Sequence, residues 1–414
     1  MYDLLIVGGG ASGLCAAINA AKNHKGLKVA VLERLPRVAK KILATGNGRC
    51  NLTNLDAEYH PYKNKDFTGP AFEKYSVERT LDFFNSLGLL TFSDDAGRVY
   101  PLTNTAAAVS DALRFEAQRL NIPLITDCRV RSVELDKQGF FKLTCQSDDK
   151  PDQKNIFASK KLIIATGGMA SPAQGSDGSG FKLLESLGHR IKTPLPSLSS
   201  LNSDSPFPKQ LKGHRVRATI SVEANGLTVA FSEGEILFTD YGLSGIAAMD
   251  VSAAVSEHFA FSKGECRAVL DLVPSLRRHE LLGFLRKLIA SSPLLPLEKL
   301  FFGILPGSVG RVLCKSLGYN DFDLPCSKLR DSDLIRLVET AKSFALRLTG
   351  TQRFNKAQVT RGGADIEEFD PASLKSRLVE NLYACGEVLN VDGGCGGYNL
   401  QWAWSSGLLA GELN

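Results

Sequence analysis

The N-terminal part of the sequence alternates between short apolar runs and a stretch of small residues. Asp3–Val7 is an apolar run ended by glycine, which is typical of a buried parallel strand. The alanine-rich segment Ala11–Lys22 predicts a helix whose small side chains allow it to lie close to a sheet. A second apolar run, Lys28–Leu32, predicts another strand. The three segments together predict a βαβ unit of about thirty residues.

Helical and strand-like patterns follow one another in the next part of the chain. Ser76–Leu87 and Thr105–Leu120 carry apolar residues on one face at helical spacing. Between Cys128 and Ala158 the apolar period changes to two, which predicts a three-stranded antiparallel meander. Its turns are expected at Lys137–Gly139 and Asp148–Asp152.

A change of composition then indicates a second domain. After a short strand at Leu162–Ala165, the proline- and serine-rich stretch Thr193–Pro208 predicts a linker between domains. Strand-like segments fill Arg215–Phe238, with Asn225-Gly226 as a hairpin turn. Helical patterns follow at Leu276–Ile289 and Asp333–Leu348.

A parallel-type strand returns at Leu382–Cys385, followed by a glycine cluster and a helix that reaches about Leu413. The simplest organisation is a discontinuous α/β domain that is made from both ends of the chain and interrupted by a mixed insertion.

Composition limits the function without naming it. The chain has 414 residues, of which 43% are hydrophobic, and Lys and Arg exceed Asp and Glu by five. These values predict two to three globular domains and exclude a disordered, collagen-like or coiled-coil protein. The small positive charge agrees with a phosphate-bearing ligand and gives little support to nucleic-acid binding.

Cysteine usage and one long apolar stretch bear on the compartment. The nine cysteines include no C-x-x-C pair, so no metal site is predicted and reduced thiols in the cytoplasm are expected. Leu4–Ala21 has no charged residue and is nominally long enough for a membrane helix. Three glycines interrupt it and no basic segment precedes it, so neither a signal peptide nor a membrane anchor is expected.

The glycines between the first strand and helix form the pattern Gly8-x-Gly10-x-x-Gly13, which is typical of a dinucleotide-binding turn. Unpaired N–H groups at the start of the following helix favour binding of a pyrophosphate. Glu33 ends the second strand, where a carboxylate can accept both ribose hydroxyls and would repel a 2′-phosphate. FAD or NAD is therefore favoured over NADP.

Two later glycine-rich segments favour FAD, which is long and needs contacts from distant parts of the chain. Ala165–Gly168 ends a strand with bare backbone, and Tyr383–Glu387 is followed by a glycine cluster at Gly393–Gly397. A helix that begins at Gly397–Gln401 would place N–H groups where negative charge develops near the flavin C2 carbonyl.

The segment Lys40–Asn51 is polar, basic and interrupted by glycines. We interpret it as a loop that wraps the pyrophosphate and the edge of the flavin. An ordinary solvated basic loop and a nucleic-acid patch remain open alternatives, although the stretch has no aromatic residue for base stacking.

These motifs resemble those of the BaiN-like, or aminoacetone-oxidase-like, family of FAD-binding oxidoreductases. The resemblance spans the whole chain. It is carried by Gly8–Gly13, Thr45–Asn51, Ala165–Gly168, Gln358–Gly363 and Gly396–Ala403. It implies a Rossmann-like FAD domain of the two-dinucleotide-binding type, at 1–191 and 351–414. It also implies an inserted β-barrel-like domain at 192–272 and a small helical domain at 273–350.

The glycine turns, the basic loop and the resemblance together give a set of expected FAD-binding residues. They are Gly8, Gly10, Ala11, Ser12, Gly13, Glu33, Arg34, Lys41, Thr45, Gly46, Gly48, Arg49, Cys50, Asn51, Val130, Ala165, Thr166, Gly167, Gly386, Glu387, Gly397, Asn399, Leu400 and Gln401.

The sequence departs from the family pattern where a substrate would be contacted. Asp240 stands where His is usual, and Ile246 stands where Pro is usual. Candidate catalytic residues are Arg49, Tyr398, Asp240 and Tyr241, with Tyr100 as a further proton donor and Arg361 as a further anion-binding residue.

The expected reaction is hydride exchange between flavin N5 and a small organic substrate. Reduction of a conjugated C=C bond in a steroid-like enone is preferred, with NADH or NADPH as a transient reductant. Oxidation of an amine, modification of tRNA, and a redox sensor without turnover are the alternatives. The sequence leaves the oligomeric state open.

Overall fold

The computed structural model describes residues 1–59, 62–149 and 154–414. The chain forms two compact units: unit 1 contains residues 1–195 and 358–414, and unit 2 contains residues 196–357. The predicted fold class is confirmed, because a Rossmann-like α/β unit from both ends of the chain is interrupted by a closed barrel with helices. The predicted three-part division, with boundaries at 191/192, 272/273 and 350/351, stays a prediction.

Unit 1 contains most of the parallel strands of the chain. Before the insertion its elements are β1 (Tyr2–Val7), α1 (Ala11–Asn23), β2 (Val29–Leu32), β3 (Thr53–Asn54), α2 (Lys65–Lys74), α3 (Val77–Ser86), β4 (Thr91–Ser93), β5 (Arg98–Pro101), α4 (Ala106–Arg119), β6 (Leu124–Ile125), β7 (Arg129–Leu135), β8 (Phe141–Gln146), β9 (Lys154–Ile164), α5 (Ser179–Ser186) and β10 (Ile191–Ser197). After the insertion they are β17 (Val359–Ala364), β18 (Leu382–Ala384) and α12 (Tyr398–Ala410). The intervening labels, β11–β16 and α6–α11, belong to unit 2.

The main sheet of unit 1 has the strand order β6-β2-β1-β9-β8-β7, and β18 also pairs with β9. β1 is parallel to both β2 and β9, and β18 is parallel to β9. Leu4, Leu5 and Ile6 are completely buried, as is typical of a parallel strand inside a sheet that is covered on both faces. This explains the continuous apolar run at the start of the sequence. Two smaller sheets have the orders β3-β5-β4 and β10-β17.

The first and last helices of unit 1 pack with their backbones close together. A Cβ atom added at Gly407 would overlap the carbonyl oxygen of Ser12, and one added at Gly411 would lie 2.5 Å from the carbonyl oxygen of Ala16. Contacts that advance by four residues on both helices show that α1 and α12 run in the same direction. Their N-terminal ends therefore point the same way.

Unit 2 is a barrel with attached helices. Its elements are β11 (Leu201–Ser203), α6 (Pro206–Gln210), β12 (Arg215–Ala224), β13 (Leu227–Phe238), β14 (Gly242–Ser244), α7 (Ile246–Asp250), α8 (Ser252–Phe261), β15 (Cys266–Asp271), α9 (Arg278–Ser291), α10 (Gly307–Ser316), α11 (Asp331–Lys342) and β16 (Phe344–Thr351). The closed barrel has the order β11-β14-β13-β12-β15-β16. Strands and helices share one hydrophobic core, which includes Ile220, Leu270, Leu285 and Leu337.

Several local predictions are confirmed. The initial βαβ unit is present, and β7, β8 and β9 form the antiparallel meander. The hairpin of β12 and β13 turns at Asn225-Gly226. Of the two turns predicted for the meander, Asp148–Asp152 lies partly outside the described residues.

The predicted linker Thr193–Pro208 does contain the boundary between unit 1 and unit 2, at Leu195 and Pro196, and it is structured: it includes most of β10, all of β11 and the start of α6. The proline-rich β10 tolerates its prolines because it belongs to a two-stranded sheet with an unpaired edge. Two predictions are wrong. The predicted separate strand at Leu162–Ala165 is the end of one long strand, because β9 continues from the meander into the parallel sheet.

The second error concerns the helix predicted for Asp333–Leu348. α11 ends at Lys342, and β16 follows to close the barrel. Phe344, Leu346 and Leu348 are buried while the residues between them are exposed, so the period there is two.

The segment Leu4–Ala21 is divided between β1 and α1. Throughout the described ranges, we find no helix that combines the length and the apolar character needed to cross a membrane.

Candidate functional site

The three glycines of the first turn have three different surroundings. Gly8 has φ +108°, and a Cβ there would overlap the carbonyl oxygen of Ala165. A Cβ at Gly13 would overlap the carbonyl oxygen of Gly8. Gly10, which precedes α1, has no described heavy atom within 4 Å of an added Cβ. Gly8 and Gly13 are therefore required by packing, whereas Gly10 faces open space at the N-terminal end of α1.

Glu33 lies beside this turn at the end of β2. Its two carboxylate oxygens accept hydrogen bonds from the N–H groups of Gly9 and Leu35, each at 2.8 Å. Burial raises the pKa of Glu33, and these two N–H groups partly oppose the change. The N–H of Cys128 donates to the carbonyl of Glu33 at 2.9 Å. This hydrogen bond brings β7, which contains Val130, next to Glu33.

Arg34 is held by a neighbouring loop. Its guanidinium donates to Asp177 at 2.9 Å and to the carbonyls of Pro172 and Gly175. Arg129 donates to the same carboxylate at 2.8 Å. Arg34 thus fixes the segment 172–177 beside Glu33, and its assignment to FAD stays a prediction.

The loop from Lys41 to Asn51 has an unusual backbone. Gly46, Asn47, Gly48 and Cys50 all have positive φ values, between +56° and +84°. Such conformations cost energy for residues other than glycine, and they persist where the surroundings determine them, often at ligand sites. The side chain of Thr45 donates to the carbonyl of Ile42 at 2.6 Å, which stabilises the start of this bend.

Lys41 connects this loop to the turn after β18. Its ammonium group lies 2.7 Å from a carboxylate oxygen of Glu387, and the other oxygen accepts the N–H of Thr360 at 2.8 Å. The hydroxyl of Thr360 accepts the N–H groups of Met169 and Ala170. Four segments that are far apart in sequence therefore meet at one place.

The glycine cluster before α12 is organised by Asn399. Its side-chain amide accepts from the N–H of Gly393 and donates to the carbonyls of Gly393 and Gly394. Gly397 has φ +107°, and an added Cβ would crowd Thr53 and lie 3.0 Å from Oδ1 of Asn51. The loop containing Asn51 therefore adjoins the N-terminal end of α12.

The N-terminal ends of α1 and α12 are offset from each other along the direction in which both helices run. Ser12, the second residue of α1, lies against Gly407, the tenth residue of α12. At about 1.5 Å per residue, the start of α12 lies about 12 Å beyond the start of α1. Both ends offer unpaired N–H groups and partial positive charge.

This arrangement fits FAD. The open space at Gly10 suits a pyrophosphate, and the displaced start of α12 suits the pyrimidine end of a flavin reached through a ribityl chain. Oδ1 of Asn51 is buried and has no hydrogen-bond partner among the described residues, so it offers an acceptor to a ligand. All of the expected FAD contacts, including those at Ala11, Thr166 and Gly167, stay predictions.

The candidate catalytic residues fall into two groups. Arg49 and Tyr398 belong to unit 1, where the hydroxyl of Tyr398 donates to Asp56 at 3.1 Å. Asp240 and Tyr241 belong to unit 2. Asp240 is paired with Lys212 at 2.7 Å, and this hydrogen bond lowers the pKa of Asp240.

Two predicted residues, Gln401 and Arg361, have side chains engaged in the protein. Gln401 is completely buried and donates to Thr80 and Ser405, while its own N–H donates to the carbonyl of Gly397. Arg361 is paired with the buried Asp392 at 3.2 Å. Leu400 lies in the first turn of α12, where its N–H is among the groups that an α-helix leaves without an internal acceptor.

Sequence reasoning missed Asp56, Asp177 and Asp392 as members of the site. Each is an ordinary acidic residue in a loop, and only the contact with Tyr398, Arg34 or Arg361 distinguishes it. Thr360 lies inside the motif Gln358–Gly363, and this motif is the sequence feature that points to it.

Comparison with known proteins gives a consistent family. The sequence profile described as "HI0933-like protein Rossmann domain" matches residues 2–413. The 3-dehydro-bile acid delta(4,6)-reductase of Clostridium scindens is 35% identical over 416 residues, covering 100% of this chain and 98% of that protein. The ribosomal RNA dihydrouridine synthase of Escherichia coli is 29% identical, with coverage of 98% and 96%. Its counterpart in Haemophilus influenzae is 27% identical, with coverage of 97% and 96%.

Solved structures share the fold at low identity. A 3-ketosteroid delta1-dehydrogenase from Sterolibacterium denitrificans has a TM-score of 0.53 and 12% identity, covering 99% of this chain and 98% of that one. A 3-ketosteroid-delta4-(5alpha)-dehydrogenase from Rhodococcus jostii RHA1 has a TM-score of 0.51 and 14% identity, with coverage of 99% and 96%.

Proposed function

We propose, on the premise that this chain belongs to the HI0933-like family of flavoprotein oxidoreductases, that it reduces a carbon–carbon double bond conjugated to a carbonyl group. The observation that carries the proposal is the full-length match at 35% identity to an enzyme named for reduction of a bile-acid double bond. The similarity to two ribosomal RNA dihydrouridine synthases supports reduction of the same type of double bond. Dihydrouridine is uridine reduced at C5=C6, a double bond that is conjugated to the C4 carbonyl.

Bound FAD would supply the hydride from N5. The chain would hold its pyrophosphate at the Gly10 turn and its pyrimidine end at the start of α12. The N–H groups of Tyr398, Asn399 and Leu400, in the first turn of α12, would stabilise negative charge near the C2 carbonyl. The ion pair of Lys41 and Glu387 keeps the loop after β2 against the turn after β18.

Tyr398 is the proposed proton donor. Its hydroxyl donates to the exposed carboxylate of Asp56 at 3.1 Å. Tyr62 fixes Tyr398 from the other side by donating to its backbone carbonyl at 2.9 Å. Tyr100 is a weaker candidate because its ring is 3% exposed and covered by Arg49.

NADH or NADPH is the proposed reductant. Only one dinucleotide fingerprint is present in the sequence. The nicotinamide and the substrate would therefore use the same cleft in turn, in a ping-pong scheme.

Reduction of a uracil base in ribosomal RNA is the second candidate, and the two synthases of 29% and 27% identity favour it. Amine oxidation, the other alternative, would require the flavin to be reduced by the amine and reoxidised by oxygen.

The test is anaerobic rapid mixing of the purified, FAD-loaded protein. NADH or NADPH is expected to bleach the flavin, and a cyclic enone is expected to restore its absorbance with formation of the saturated ketone. Flavin that is bleached by an amine panel and restored by oxygen but not by any enone would contradict the proposal. Restoration by a uridine-bearing RNA alone would favour the second candidate.

A further inference from the structure

Two of the cysteines lie side by side where the main sheet of unit 1 ends at β7. Val130 of β7 is paired directly with Cys145 of β8. Cys128 precedes Val130 by two residues, so its side chain lies on the same face and diagonally opposite Cys145. The two thiols are reduced and are hydrogen-bonded to each other. We call Cys128 and Cys145 the thiol pair.

The two members of the pair differ in exposure and in acidity. Cys128 is 6% exposed, whereas Cys145 is completely buried. The hydrogen bond from Cys145 lowers the pKa of the Cys128 thiol, against the effect of burial. The same hydrogen bond, together with burial, raises the pKa of Cys145. Because the thiolate is the nucleophilic form of cysteine, Cys128 is the member that reacts first with an oxidant arriving from solvent.

Burial has the opposite effect on other thiols of the protein. It raises the pKa of Cys50 to about 12 and the pKa of Cys266 to about 11. A rise in pKa with the same cause occurs in Cys15, Cys314, Cys326 and Cys385. A thiol that stays protonated is a poor nucleophile, so mild oxidation should select Cys128 over these residues.

The backbone of Cys128 is tied to Glu33, the residue assigned to the ribose of FAD. The N–H of Cys128 donates to the carbonyl of Glu33 at 2.9 Å, and the N–H of Asp127 donates to the carbonyl of Leu35 at 3.2 Å. The N–H of Leu35 in turn donates to the carboxylate of Glu33 at 2.8 Å. A displacement of Cys128 therefore reaches the Glu33 carboxylate through backbone hydrogen bonds.

We propose that the thiol pair is a site of reversible oxidation by hydrogen peroxide, and that its disulfide weakens the binding of FAD. The sulfur of Cys128 attacks one peroxide oxygen; the S–O bond forms, the O–O bond breaks, and the leaving hydroxide takes up a proton. The sulfur of Cys145 then attacks the sulfur of Cys128; the S–S bond forms, the S–O bond breaks, and the leaving hydroxide takes the proton of Cys145. Two thiols thereby lose two electrons and two protons, and one peroxide becomes two molecules of water.

Formation of this bond has to move one of the two cysteines. The sulfurs of a disulfide lie about 2.05 Å apart, much closer than two hydrogen-bonded thiols. Cys145 lies inside β8, which is paired on both sides, whereas Cys128 stands one residue before β7 begins. Cys128 is therefore the residue that shifts, and the shift strains its hydrogen bond to Glu33. Only this last effect depends on the assignment of FAD to Glu33.

The test uses the FAD-loaded full chain, which is reduced with dithiothreitol, freed of it and exposed to hydrogen peroxide. After alkylation of the free thiols, mass spectrometry is expected to find a peptide pair joined through Cys128 and Cys145, which dithiothreitol separates again. Cys145→Ser should stop at the sulfenic acid of Cys128, which dimedone captures, and Cys128→Ser should give neither product. Cys266→Ser is the matched control, since Cys266 is a buried cysteine of the barrel, and it should still give the joined peptides.

Release of FAD is measured separately, by ultrafiltration of the reduced and the oxidised protein. The Kd for FAD is expected to rise about tenfold on oxidation of the wild type, as for one weakened hydrogen bond to a charged group, and to stay constant in Cys128→Ser. Oxidised wild type without the joined peptides would overturn the site, and so would a disulfide that forms between other cysteines instead. Joined peptides with an unchanged Kd would overturn the coupling to Glu33. If the disulfide forms as expected but the protein reduces no enone, the proposed function fails and the oxidation site stands.

Discussion

The ammonium group of Lys41 lies 2.7 Å from a carboxylate oxygen of Glu387, in side chains that are 26% and 19% exposed. The pair joins two loops that are assigned to the same cofactor, although 346 residues separate them. Because both groups are largely shielded from water, their attraction should exceed that of an ordinary surface pair.

A double-mutant cycle of Lys41→Met and Glu387→Gln should measure this attraction. We expect a coupling free energy of about 1 kcal/mol in the free energy of unfolding by urea. The matched control is the exposed pair of Arg278 and Glu339, at 2.9 Å, where Arg278→Gln and Glu339→Gln should give a smaller coupling. Equal couplings at the two pairs would mean that shielding plays no part.

Gly10→Val should separate cofactor binding from folding. No described heavy atom lies within 4 Å of a Cβ at this position, so the cofactor-free protein should keep its circular dichroism spectrum. The added side chain would fill the space assigned to the pyrophosphate, and the purified variant should contain no FAD. Gly13→Ala should instead lose both its folded structure and FAD, because its Cβ would overlap the carbonyl of Gly8. Full FAD occupancy in Gly10→Val would show that the turn is not the phosphate site.

Gly407→Ala should destabilise unit 1 by about 2 kcal/mol or more, because the new methyl group must push α12 away from the backbone of α1. Gly283→Ala makes the same substitution inside α9, where no described atom lies within 4 Å of the new Cβ. It should stabilise the protein by about 0.5–1 kcal/mol through helix propensity. Melting temperatures of the two variants should therefore move in opposite directions, and a fall of similar size in both would contradict the packing argument.

Glu116 should make the free energy of unfolding depend on pH. Its side-chain hydrogen bond with Arg119, together with Lys22 of α1, lowers its pKa from 4.5 to about 2, against the effect of burial. A carboxyl group with a lowered pKa stabilises the folded state above the unfolded pKa, and this contribution is lost as the pH falls from 4.5 towards 2. Glu116→Gln should therefore cost about 2 kcal/mol at neutral pH and progressively less below pH 4.5. A difference in the free energy of unfolding that stays constant with pH would contradict this.

Tyr398→Phe should divide the two halves of the proposed reaction. Flavin reduction by NADH or NADPH needs no proton from Tyr398 and should keep its rate. Reoxidation by an enone should slow about 100-fold, because the variant has no acid for the substrate carbon. Tyr319→Phe, in unit 2, is the control and should affect neither step. If Tyr398→Phe reoxidises at the wild-type rate, another group supplies the proton.

The glycine turn shows what sequence reasoning could reach. A strand, a glycine pattern and an acidic residue at the end of the next strand are local features with fixed geometry, and the structure places Glu33 against Gly9 as expected. The family resemblance drawn from the motifs is likewise confirmed by the match over residues 2–413.

The parts that escaped prediction depend on distant contacts. Lys160 and Lys161 interrupt the apolar pattern of β9, so the sequence predicts two strands there. Only the pairing with β1 and β18 shows that the strand is continuous. Asp177 has no distinguishing motif, because its role comes from two arginines that reach it from other strands and loops.

The packing of α12 against α1 also has a consequence for biosynthesis. Residues 358–414 follow unit 2 in the chain, and α12 must be present before the helix pair that flanks the Gly10 turn can form. Unit 2 is continuous in sequence and can fold on the ribosome as soon as it has emerged, as domains generally do. Unit 1 has to wait for its last segment, with its parallel sheet lacking β18. The proposed FAD site is thereby completed late, so a nascent chain released early would carry a folded barrel without that site.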